Sequence, residues 1–162
     1  MAWRSKPPVE RVRNGFRINL QAEERDLLVR LLGELRGMLV GPNDAPALHR
    51  LFPAAYHLPE NAEHDAEYQR LMREELVASR LAGIEIVLEA LVAPPPLTEE
   101  QMQAMLQALN GIRLVLGTVL DVSEELELDD LPDDHPQLGE YHLYGYLSWL
   151  LEWTVRAISS ER

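Results

Sequence analysis

Few residues in this chain have both the type and the spacing that catalysis or ligation requires. Glu60, Glu63, His64 and Glu67 lie close together, and His64 and Glu67 would share one helical face. No HExxH spacing exists, and the five histidines are scattered. A solvated helix face is the expected state of these four, and no metal and no cofactor is assigned. The stretch Ser123–Pro136 carries seven carboxylates but lacks the D-x-[DN]-x-[DN]-G pattern of a calcium loop. The nine glycines are isolated, so no phosphate-cradling loop is expected, and no GxSxG is present. Cysteine is absent, which excludes a disulfide, a thiolate zinc site and a cysteine nucleophile. No pair of carboxylates stands out for general acid–base work. The residues name no catalytic group, and the expectation is a protein that is not an enzyme.

Arginines are the more informative residues. The net charge is −12, unevenly spread. Arg4, Lys6, Arg11, Arg13 and Arg17 precede Ile18 against one acid, whereas ten bases face 26 acids after it. Such a body repels nucleic acid. Only Arg11, Arg13 and Arg17 are placed to meet a phosphate backbone or an acidic partner, and no direct sequence-specific nucleic-acid binding is expected. Arg113 is the only charge in the second half of an apolar run, so it must find oxygen partners or leave a costly orphan. A carboxylate or backbone oxygens are the expected partners, in a polar clamp between helices that Asn110, one turn earlier, is placed to join.

The elements that position these residues follow from periodicity. Asn14-Gly15 between Val9–Arg13 and Phe16–Leu20 reads as a hairpin over 9–20, with Arg13 opposite Phe16, Arg11 opposite Ile18 and Val9 opposite Leu20. A lone hairpin is marginal, so Phe16 and Ile18 should pack on helices. Residues 1–8 are expected to be disordered. A first helix is predicted over 21–40, with Leu27, Leu28, Leu31, Leu32, Leu35, Met38 and Leu39 in its stripe and Gly41-Pro42 as its stop. Residues 41–61 read as a connection with one helical turn near 47–51, pinned by Leu51, Phe52 and Tyr56. Phe52 could also line a contact for a partner.

A second helix is predicted over 62–92. Its first half is charged and exposed, and Val77, Leu81, Ile84, Leu88 and Leu91 form a bundle seam in its second half. Pro94-Pro95-Pro96 ends it. The stretch Leu97–Val122 organises the rest. Thr98 and Gln101 match a capping box, and Leu97 and Met102 match a hydrophobic staple. From Ile112 onward that stretch is apolar on nearly every face, which belongs inside a bundle. After the acidic loop a last helix is predicted from 138 to 159. Trp149 and Trp153 stand one turn apart there, surplus to a leucine stripe, and a homodimer through this helix is expected. The fold class is mainly α: a four-helix-type bundle with an N-terminal β-hairpin, as a single domain over 1–162. No run is long and apolar enough for a membrane span, and no secretory signal follows Met1, so a cytoplasmic location is expected.

Particular motifs also carry a resemblance. Arg50-Leu51-Phe52-Pro53-Ala54-Ala55-Tyr56, Glu67-Tyr68 with Arg70-Leu71, and Leu109-Asn110-Gly111-Ile112-Arg113-Leu114-Val115-Leu116-Gly117-Thr118 stand in a distinctive order. With a closing helix rich in tryptophan and leucine around Glu152, the chain resembles an actinobacterial family of unknown function. Its members are small helical proteins, often labelled transcriptional regulators, and one is an oxidative-stress regulator. The resemblance covers about Val9 to Ile158 and supplies no catalytic residue. It implies a regulatory or adaptor protein in stress response, working through a protein partner such as the transcription machinery. Some relatives carry cysteines proposed as a redox switch; this chain has none. The alternative is an enzyme or small-molecule binder with a polar site between helices near Arg113.

Overall fold

The computed structural model describes residues 6–41, 48, 51, 62–120 and 132–160. Strands β1 (Val9–Val12) and β2 (Gly15–Ile18) form an antiparallel hairpin. Four helices follow: α1 (Ala22–Val40), α2 (Ala62–Val92), α3 (Glu99–Leu120) and α4 (Leu138–Ser159). Helix α3 touches α1, α2, α4 and β2, so the predicted organising stretch is the centre of the bundle. Met102, Met105, Leu109, Ile112 and Leu120 are all buried on it. Among the described residues, no helix is long and apolar enough to cross a membrane. The expected disorder of residues 1–8 falls outside the described residues up to residue 5, as do Phe52, Tyr56 and the acidic loop before residue 132.

Helix boundaries follow local chemistry. At the start of α3 the Gln101 amide donates to Thr98 Oγ1 at 3.1 Å, and the Thr98 amide donates to Gln101 Oε1 at 2.8 Å. This is the reciprocal capping box the sequence predicts. Leu97 and Met102 beside it are buried at 3% and 0% exposure, where a staple would place them. At the start of α1 the Gln21 amide donates to the Glu24 carboxylate at 3.3 Å, which adds a negative group near the helix N-terminus. Leu48 and Leu51 are buried in the same core, and the Leu51 amide donates to the Leu48 carbonyl.

The hairpin register differs from the sequence expectation. Val9 pairs with Ile18, Glu10 with Arg17, Arg11 with Phe16 and Val12 with Gly15. The turn is therefore Arg13-Asn14, with Asn14 at φ +75°, a left-handed conformation that asparagine tolerates at the third position of a turn. Gly15 belongs to the strand. Its reason to be glycine is space: a Cβ there would stand 2.4 Å from the Leu97 carbonyl oxygen and 2.9 Å from Pro96 Cβ. That approach lets the Phe16 amide donate to the Leu97 carbonyl at 3.0 Å and the Leu97 amide donate to the Phe16 carbonyl at 2.8 Å. The link between α2 and α3 thus adds one rung to the outer edge of β2. The shift leaves the faces unchanged, since each residue still meets a partner of the expected parity. Val9, Phe16 and Ile18 are buried against the helices.

Arg25 on α1 completes the junction. Its guanidinium donates to the carbonyls of Ile18 at 2.9 Å and Leu20 at 3.2 Å, and also to the carbonyl of Leu91. Leu91 lies in the last turn of α2, which has no basic residue of its own. A cation there satisfies carbonyls that have no partner within the helix.

Three substitutions test this account. Gly15→Ala should cost about 2–3 kcal/mol, because backbone at the bridge must move. Asn14→Gly should cost less than about 0.5 kcal/mol, because glycine takes the same turn freely. Arg25→Met keeps the apolar stem and removes the donors, and should cost about 2 kcal/mol. Urea denaturation measures all three. Wild-type stability in Gly15→Ala would contradict the close approach.

Candidate functional site

The hairpin arginines do different work. Arg11 lies over the Phe16 ring, its guanidinium carbon 4.6 Å from the centroid. It also donates to the Ile158 carbonyl at 2.9 Å and to Ser160 Oγ at 3.2 Å, and so closes the C-terminus of α4. Arg17 faces Glu10 across the ribbon at 4.0 Å, on partly exposed side chains. Such a pair contributes little. Arg13 is exposed at the turn. Arg11 and Arg13, with Asn14, Thr98, Glu99 and Ser160, line an open groove of about 870 Å³ between the hairpin tip, the start of α3 and the end of α4. The three arginines therefore do not converge: one is committed to structure, one to a carboxylate, and one is open to solvent.

The Asn110–Arg113 pair forms within α3. Arg113 donates to Asn110 Oδ1 at 2.9 Å, and its guanidinium carbon lies 6.0 Å from the Tyr144 ring centroid on α4. No carboxylate meets it among the described residues, and its buried Nε has no partner among them. The link between helices is a cation over an aromatic face. Arg113 lines neither the hairpin groove nor the small apolar cleft of about 200 Å³ between α1, α3 and α4. That cleft is walled by Leu31, Met38, Leu116, Val119 and Leu143, with Glu34 at its rim. Arg80 on α2 lies against Gly111 of α3, 3.5 Å from where a Cβ would stand. Burial lowers the Arg80 guanidinium pKa below its ordinary value.

Trp149 and Trp153 are half-buried, and Trp149 packs against the core beside Tyr146, ring centroids 5.8 Å apart. Tyr146 in turn donates to Glu24 Oε2 at 2.6 Å, tying α4 to the start of α1. Trp153 lies under Arg156, 5.3 Å from its guanidinium carbon. The aromatic face expected to be surplus is therefore largely used within the chain. Phe52 lies outside the described residues. Among the described residues no group of three or more His, Cys, Asp or Glu is arranged to hold a metal ion.

Sequence reasoning missed two features. Arg25, a half-buried clamp on three carbonyls, looks like any charge on an amphipathic helix until the hairpin folds over it. Tyr68, Leu71, Met72 and Leu76 are open to solvent on the first half of α2. Their spacing was visible, but the many charges among them read as a solvated surface. Arg113→Ala should cost about 1–2 kcal/mol, with Tyr144→Leu less than additive to it in a double-mutant cycle. Strict additivity would show that the two side chains do not interact.

Comparison with known proteins finds relatives in mycobacteria. The chain is 26% identical over 150 residues to proteins named oxidative stress regulator AosR from Mycobacterium bovis and from Mycobacterium tuberculosis. Each alignment covers 81% of this chain and 67% of the relative. No solved structure matches the chain. Residues 3–158 match the domain of unknown function DUF2017, and the chain belongs to that family.

Proposed function

We propose that this protein is a non-enzymatic regulatory or adaptor protein of a stress response, acting through protein–protein contacts on the transcription machinery. The observation that carries this reading is the alignment with the mycobacterial oxidative stress regulators across most of the chain. The geometry is compatible with such a role: Arg11, Arg25, Arg113 and Tyr146 join elements of the fold to one another, and among the described residues polar side chains do not gather round one reacting centre. The chain contains no cysteine, so an oxidant cannot act on it through a thiol. Any response of this chain to an oxidant needs a route other than a thiol.

The charge balance argues for a protein partner over DNA. Ten bases against 26 acids after Ile18 leave no surface able to release many phosphate counterions. Reading a base edge needs donors aligned in a groove, and the three hairpin arginines do not converge on one. Fluorescence anisotropy with a duplex from the protein's own upstream region, in about 150 mM salt, should show no sequence-specific binding tighter than about 1 μM. Affinity purification from oxidant-treated native cells should recover a component of the transcription machinery. Specific sub-micromolar DNA binding lost on charge reversal at Arg13 would overturn the reading.

A further inference from the structure

We propose that the first half of α2 is a docking strip for an amphipathic helix whose apolar face is bordered by lysine or arginine. The proposal rests on the reading of the protein as one that acts by contact, and it names the surface and the chemistry of what binds there.

Tyr68, Leu71, Met72 and Leu76 are spaced i, i+3, i+4 and i+8, and so fall on one face of α2. Their exposures are 62%, 52%, 39% and 40%. The other exposed large apolar residues among those described (Val29, Val40, Val92, Val119 and Val155) stand on different elements or far apart. A single exposed valine needs no explanation, whereas four large side chains in one stripe do. The position in the fold adds to this. Helix α2 has 31 residues and α3 has 22, so α2 is longer than its main neighbour by nine residues, about two and a half turns. No residue from 66 to 83 is buried, while Ile84, Val87, Ala90 and Leu91 all are. The second half anchors the helix, and the first half carries its stripe outward.

Charge selects the occupant. Glu75 stands four residues after Leu71 and three after Met72, within the stripe, and Glu67 stands four before Leu71 at its margin. Both are exposed. The Glu67 carboxylate has only a loose contact with Arg70, 3.9 Å away on the same helix. An apolar helix face edged with lysine or arginine would cover the four side chains and meet Glu67 at the margin, while a long basic side chain reaching in from that edge would meet Glu75. A second copy of this chain fits poorly, because it would bring Glu67 and Glu75 of both copies into one contact, on molecules each carrying −12.

The probe is a synthetic leucine–lysine amphipathic helix, compared by anisotropy with its leucine–glutamate counterpart. Wild type should bind the lysine peptide and not the glutamate one. Leu71→Ser with Leu76→Ser, both surface changes, should keep the melting temperature and weaken binding at least about tenfold. Glu67→Lys with Glu75→Lys should reverse the preference towards the glutamate peptide. Equal binding of the lysine peptide to wild type and both variants, or no binding at all, would overturn the proposal. A dimer in light scattering that the serine variant dissociates would overturn it too, since a second copy would then be the occupant. In the native host, a deletion that changes stress transcription and is fully restored by the serine variant would discard the strip and leave the regulatory reading standing. A deletion that leaves transcription unchanged would discard the regulatory reading, and the peptide comparison would still decide the strip.

Discussion

Every α-helix ends with carbonyls that have no partner in the helix, and in this protein three such ends are met by side chains from elsewhere in the chain. Arg25 of α1 reaches Leu91 at the end of α2, Tyr141 of α4 donates to Leu120 at the end of α3 at 3.0 Å, and Arg11 of β1 reaches Ile158 at the end of α4. Each bond satisfies a backbone group and also fixes one element against another. Because Arg25 also holds Ile18 and Leu20, the hairpin is tied to the same end of the bundle. The Phe16–Leu97 rung and the absent side chain at Gly15 close that end.

The consequence is a molecule of two unequal ends. Near the hairpin, backbone pairing, cation capping and burial of Val9, Phe16, Leu97 and Met102 act together. At the other end, the first half of α2 leaves its apolar stripe in solvent. Regions that bind partners are drawn from parts with few buried contacts, because a fully buried face has nothing left to offer. A rigid end that holds the helix and an open end that presents it suit a protein that works by contact.

Much of this architecture was legible in the sequence where the signal is local. The capping box at Thr98 and Gln101, the prolines after α2 and the leucine periodicity of α1 and α3 each depend on residues within a few positions of one another. Asn14-Gly15 announced a turn but misplaced it by one residue, because the constraint on Gly15 comes from Leu97, some eighty positions away. Arg113 drew attention for being alone on an apolar helix, yet its partners proved to be Asn110 on its own helix and the face of Tyr144. Arg25 drew none, although it holds more of the fold. The stripe at Tyr68, Leu71, Met72 and Leu76 was present in the spacing. Exposure is a property of neighbours, however, and only the fold shows that none of the described residues covers it.

The central claim is that hairpin, link and helices form one cooperative body, with α2 free at its first half. Native-state hydrogen exchange measures this directly. The account predicts that the amides of Phe16 and Leu97 open with the same free energy as Leu109 and Ile112 in the core, while those between Tyr68 and Leu76 open at lower cost. Exchange at Phe16 and Leu97 by a local opening, with the α3 core still protected, would contradict it.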